Sequence, residues 1–148
     1  MELNLAYIPG ITKEEVEKLN KQGIWHTNKL LHYASIPFDR QQLAKRTGIS
    51  PGRLLEFARY ASLVEISGIY PYLKYLLRIG ISGPKVLRRS TPEELLDKLS
   101  KVMPANRLPS YGEVAYWISQ ARCIDILEEE GEEPPASLTS PSVLDVST

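Results

Sequence analysis

A single cysteine, Cys123, is present among 148 residues, so no disulfide can close within the chain. A lone thiol fits a reducing compartment, and Met1-Glu2-Leu3-Asn4 has neither the basic region nor the apolar stretch of a secretory signal. A cytoplasmic protein is expected. Apolar runs are short, and none approaches the roughly 20 residues that a membrane-spanning helix needs. Histidine is scarce: His26 and His32 have no Glu or Cys at metal-ligand spacing near either. A zinc site needs three or four such ligands, so no metal and no cofactor is expected. Gly-x-Ser-x-Gly, phosphate-loop and dinucleotide patterns are missing as well. Cys123 stands among Arg122, Ile124 and Asp125 without a local histidine, which reads as a structural thiol rather than a nucleophile. Nothing here asks for chemistry, and the chain is expected not to be an enzyme or to act on a small-molecule substrate.

Neither sign of charge is in excess, with 18 Lys and Arg against 18 Asp and Glu, but the charges are unevenly placed. Residues 1–120 hold 17 basic against 11 acidic side chains, and residues 121–148 hold one Arg against seven acids. A mildly basic body thus precedes an acidic end. Such a split suits a partner attracted to the body and a tail that competes with it, and it equally suits a plain solvated tail. From Glu128 the chain runs Glu-Glu-Glu-Gly-Glu-Glu and then becomes rich in Pro, Ser and Thr. That composition buries too little apolar area to offset the cost of ordering, so 128–148 is expected to be disordered and 1–127 to form one domain. Ser142-Val143-Leu144-Asp145-Val146 is the only apolar patch in this tail.

Helix starts are legible in what remains. Thr12-Lys-Glu-Glu15 and Ser110-Tyr-Gly-Glu113 have the form of capping boxes, and Asp39-Arg-Gln-Gln42 is a near variant. Thr91-Pro92-Glu93-Glu94 and Ser50-Pro51 place proline at the first helical position, where its missing N–H costs nothing. Apolar residues then recur three and four apart, as in Leu54, Leu55, Ala58 and Ala61, and in Val114, Trp117, Ile118 and Ala121. The pattern predicts an all-α chain with eight helices, near 13–21, 27–34, 40–47, 51–65, 71–79, 83–89, 92–103 and 111–129.

One dipeptide organises these helices. Five of nine glycines precede isoleucine, at Gly10, Gly23, Gly48, Gly68 and Gly80. Glycine accepts the left-handed conformation that ends a helix, and the following isoleucine turns back into the groove between helices. The order Gly10-Ile11, Gly23-Ile24, Leu30-Leu31 is repeated as Gly68-Ile69, Gly80-Ile81, Val86-Leu87, about 57 residues later. Two related halves packed into one compact domain are expected.

The Ile-x-Gly-Ile and Gly-Ile spacing resembles helix-hairpin-helix proteins. More narrowly, Leu43-Ala-Lys-Arg-Thr-Gly-Ile-Ser50, Ile66-Ser-Gly-Ile69, Thr91-Pro-Glu-Glu-Leu95 and Leu108-Pro-Ser110 with Trp117-Ile118 resemble the bacterial family named domain of unknown function 4332. The resemblance implies a tandem hairpin fold. Helix-hairpin-helix units commonly hold a nucleic-acid phosphate at the N–H groups that open their second helix, without reading sequence. The usual loop is Gly-hydrophobic-Gly, and here the second glycine is replaced by Thr12 and by Tyr70. A tyrosine there obstructs close backbone approach. The Thr12 hydroxyl has two readings, phosphate donor or helix cap, of which the cap is favoured.

The loop from Thr47 to Arg53 is a better candidate, for it combines Gly48, Gly52, the cap Ser50 and the cations Lys45, Arg46 and Arg53. Lys85, Arg88 and Arg89 form a second basic cluster. Weak, sequence-independent contact with DNA or RNA backbones is the leading expectation for function. The alternative is a protein–protein adaptor or regulator, with a nucleic-acid enzyme as one candidate partner, using Tyr70, Tyr72, Tyr75 and Arg78. Those tyrosines also suit half-buried packing between the two halves.

Overall fold

A computed structural model describes residues 1–124 and residue 126. Eight α-helices carry the described chain: α1 Lys13–Asn20, α2 Thr27–Ala34, α3 Pro37–Thr47, α4 Pro51–Val64, α5 Leu73–Arg78, α6 Pro84–Arg88, α7 Pro92–Ser100 and α8 Tyr111–Ala121. Short 3-10 turns occupy Leu5–Tyr7, Tyr70–Tyr72 and Ala105–Arg107. Among the described residues the only extended pairing is one antiparallel bridge, Asn4 with His26. No described helix is long and apolar enough to cross a membrane. The tail 128–148 lies outside the described residues, as does the Ser142–Val146 patch.

Three helix starts are held by the capping boxes their sequences announce. The Thr12, Thr91 and Ser110 hydroxyls accept from the N–H of Glu15, Glu94 and Glu113, and each glutamate accepts from its cap's own N–H. Thr12 is therefore committed to its helix. Ser50 caps α4 by accepting from the Arg53 N–H at 3.1 Å. Each such cap stabilises by about 1 kcal/mol.

Four helices depart from the sequence pattern, α7 among them, which ends at Ser100 rather than at 103. Helix α3 starts at Pro37, and Asp39 sits inside its first turn with no side-chain cap before it. Proline's fixed φ begins the helix earlier than the Asp39-x-x-Gln42 spacing suggests. The helix expected at 71–79 is divided, because the Tyr72 N–H bonds back to Ile69 O at 2.9 Å and makes a tighter turn around Pro71 before α5 begins. Helix α8 ends at Ala121, well short of 129. The Cys123 and Ile124 N–H groups bond three residues back, at 3.0 and 3.3 Å, and the chain turns to bury Ile126. Cys123 thus lies beyond the helix, exposed, its thiol directed at Ser119 O.

The five glycines that precede isoleucine are also the glycines with positive φ, between 77° and 93°. Their isoleucines Ile24, Ile49, Ile69 and Ile81 are buried, and Ile11 packs against the core at partial exposure. Each pair is thus a backbone reversal followed by an apolar anchor. The buried residues form one cluster to which every helix contributes, from Leu19 of α1 to Trp117 of α8.

The order of contacts recurs along the chain. Helix α4 packs on α2 and α3, and α8 packs on α6 and α7 in the same positions one half later. This is the arrangement that related halves would have. Helix α4 also meets α6, where a Cβ on Gly83 would stand 3.1 Å from Arg59 Cγ. Glycine lets α4 and the start of α6 approach closely there.

Candidate functional site

The turn between α3 and α4 is three residues long and fully specified by its own sequence. Gly48 is left-handed, and its N–H bonds to Ala44 O at 2.8 Å. The Thr47 hydroxyl donates to Leu43 O at 2.8 Å and accepts from the Ile49 N–H at 3.1 Å, while Ile49 drops into the core. Ser50 then caps α4, and Pro51 and Gly52 open it. Gly48, Ser50 and Gly52 are exposed, as are Lys45 and Arg46 on the last turn of α3. A shallow open groove of about 500 Å³ runs beside them, lined by Gln41, Ala44, Lys45, Gly48, Ile49 and Pro51.

Of the four N–H groups an α-helix leaves over at its start, α4 has lost one to Pro51 and given another, that of Arg53, to Ser50. The Gly52 N–H is another of these first-turn groups, and Gly52 itself is exposed. This donor stands at the positive end of the 14-residue helix.

Arg53 does something else. Its Nε donates to Glu15 Oε2 at 2.9 Å, its Nη2 to Glu15 Oε1 at 3.1 Å and to Gly10 O at 2.6 Å, and its Nη1 to Glu56 Oε1 at 3.1 Å. The guanidinium also lies 4.7 Å from the centre of the Phe57 ring. The Arg53 hydrogen bond holds the Glu15 carboxyl below its ordinary pKa, and the same contact raises that of Arg53. Arg53 is thus a clamp that ties the Gly10 turn and the start of α1 to α4. The cations facing outward at the turn are Lys45, Arg46 and a third that sequence reasoning missed. Lys18 Nζ lies 3.9 Å from where a Gly48 methyl would stand, and is itself 3.3 Å from Glu14. Arg46 Nε donates to Gln22 Oε1 at 3.1 Å, joining α3 to the Gly23 turn.

The second basic cluster stands on α6 and its C-terminal cap. Lys85 is buried, Arg88 donates from Nη1 to Ile124 O at 3.0 Å, and Arg89 is exposed on the far end of α6. Tyr70, Tyr72 and Tyr75 pack against the core at partial exposure. Tyr72 meets Trp117 with ring centres 5.1 Å apart, and Tyr75 lies beneath Lys74 and Arg78 at 5.1 and 5.6 Å. Among the described residues, no three of His, Cys, Asp and Glu gather as a metal-binding group.

Another residue hidden from the sequence is Arg40, fully buried on α3, whose Nη1 donates to Ala34 O at the end of α2. It supplies a cation and a donor where that helix leaves carbonyls unsatisfied.

An all-helical scaffold of left-handed Gly-Ile turns, with one exposed basic turn at its middle, is the class these observations define. The chain belongs to the family described as Domain of unknown function (DUF4332), whose model matches residues 9–124. No curated protein and no solved structure matches it.

Proposed function

We propose that this protein is a non-enzymatic module that holds nucleic-acid backbones weakly and without regard to sequence, through the turn from Gly48 to Gly52. One observation carries the reading: the turn from Gly48 to Gly52 joins the exposed cations Lys45 and Arg46 to the N-terminus of α4, with Gly48, Ser50 and Gly52 themselves exposed. Phosphate is the ligand that such a combination suits, since the helix N-terminus and the cations favour the same charge. Lys18 extends the positive edge. Arg53 serves as a positioning residue that fixes the turn against α1 rather than as a phosphate ligand. A protein adaptor working through Tyr70, Tyr72 and Tyr75 has less support, because Tyr72 rests on Trp117 and the Tyr75 face is covered by cations.

Fluorescence anisotropy of labelled oligonucleotides at two salt concentrations tests this. If two phosphates are neutralised, log K falls against log salt with a slope of about −1.4 to −1.8. The Lys45→Ala/Arg46→Ala variant should flatten that slope and lose most affinity. Arg53→Ala should change stability more than affinity. Absence of binding at low salt would sink the reading.

A further inference from the structure

Two Trp and two Phe are present, and their fates divide evenly. Trp117 and Phe57 are 1% and 2% exposed, whereas Trp25 and Phe38 are 52% and 66% exposed. A core residue left outside by chance is common enough singly. Phe38 lies in the first turn of α3, whose last turn leads into the turn described above, and Trp25 follows the Gly23 turn.

Phe38, Gln41 and Lys45 stand at i, i+3 and i+7 on α3, hence on one face, and all three are exposed. At 1.5 Å per residue, the ring lies about 10 Å along the helix from the lysine. Asp39 is turned about 100° round the helix from Phe38. The bond from Arg46 to Gln22 fixes the Gly23 turn beside the end of α3, and Trp25 follows that turn. Leu5 N–H bonds to Trp25 O at 3.1 Å, which holds the backbone of this loop and brings exposed Tyr7 nearby in the chain.

We infer that the ligand of the Gly48–Gly52 turn is single-stranded, its unpaired bases stacking on Phe38 and Trp25 while Lys45 and Arg46 hold the intervening phosphates. The inference rests on the backbone-binding reading and adds the class of nucleic acid. Aromatic rings interleaved with cations are what single strands use, since every base has a face to stack and every linkage a charge. In a duplex those faces are already stacked on one another, and the rings gain nothing. A protein partner is the poorer match, because the centres of protein interfaces are depleted of lysine and exposed Lys45 shares its helix face with Phe38.

The test uses the full-length protein with labelled oligothymidylate, oligouridylate and a DNA duplex of equal length, at low salt. Single strands should bind at least about tenfold tighter than the duplex. Phe38→Ala and Trp25→Ala should each weaken single-strand binding about tenfold and leave duplex binding as it was. Both side chains are more than half exposed, so the variants should keep wild-type helicity and melting. Oligothymidylate should also quench the tryptophan emission, and Trp25→Phe should remove the quenching while keeping most of the affinity, because Trp117 is out of reach. Equal affinity for duplex and single strands, or aromatic variants without effect, overturns this inference. If Lys45→Ala/Arg46→Ala still weakens all ligands, the backbone-binding reading survives it. Failure of every oligonucleotide to bind overturns both, and leaves the aromatic face to a protein.

Discussion

Glu15 is asked to do two things at once. One carboxylate oxygen closes the capping box on Thr12, and both oxygens accept from Arg53, 38 residues away. Its pKa is lowered in the fold, so the stabilisation is complete above the ordinary glutamate value of about 4.3 and disappears as pH falls through the lower folded value. Denaturation midpoints should therefore drop below about pH 4 in the wild-type chain. In Glu15→Gln that part of the acid dependence should be missing. At neutral pH the same substitution should cost about 1–2 kcal/mol, at the lower end of charge-assisted hydrogen bonds because Arg53 is a third exposed. A midpoint that follows the wild-type acid profile unchanged would contradict the clamp. The pair could not be read from sequence. Thr12 and Glu15 are three apart and visible as a box, but only the approach of α4 to the Gly10 turn shows that the glutamate has a second partner.

At the level of helices and turns, the two exposed glycines of the candidate site make opposite forecasts. Gly48 has φ +77°, where an L-alanine costs about 1–2 kcal/mol. Gly52 lies in the first turn of α4 with open space around it, and alanine there should be neutral or stabilising by up to about 1 kcal/mol. Urea denaturation of Gly48→Ala and Gly52→Ala checks this, and equal effects would mean that Gly48 is not the helix stop. This contrast shows why the fold was so legible. Gly-Ile pairs, Thr and Ser caps and proline starts are local signals whose physics acts within four residues, and all five Gly-Ile positions adopt the left-handed turn. Where the signals were less explicit, the reading slipped: Pro37 outcompeted Asp39 as the start of α3, Pro71 divided α5 from its approach, and burial of Ile126 curtailed α8. The candidate site was partly legible for the same reason. Lys45, Arg46, Gly48, Ser50 and Gly52 lie within eight residues of sequence, whereas Lys18 and Gln22 join them only through packing.

Over the whole molecule, two helix connections differ sharply in length. Helices α3 and α4 are joined by residues 48–50, while α7 and α8 are joined by residues 101–110. Within the longer connection, Pro104 to Arg107 are exposed, and only Met103 and Pro109 are buried. Length is therefore tolerated in one place and refused in the other. One residue inserted between Gly48 and Ile49 would keep the helix stop but put the anchor out of register with its socket. An insertion after Asn106 would lengthen a solvated loop, whose closure grows costlier only slowly with length. Thermal melts should show a loss of several degrees for the first insertion and little change for the second. A tag, a fluorophore or a second domain can thus be spliced in between α7 and α8, the part of this chain where its reading frame carries the least structural meaning.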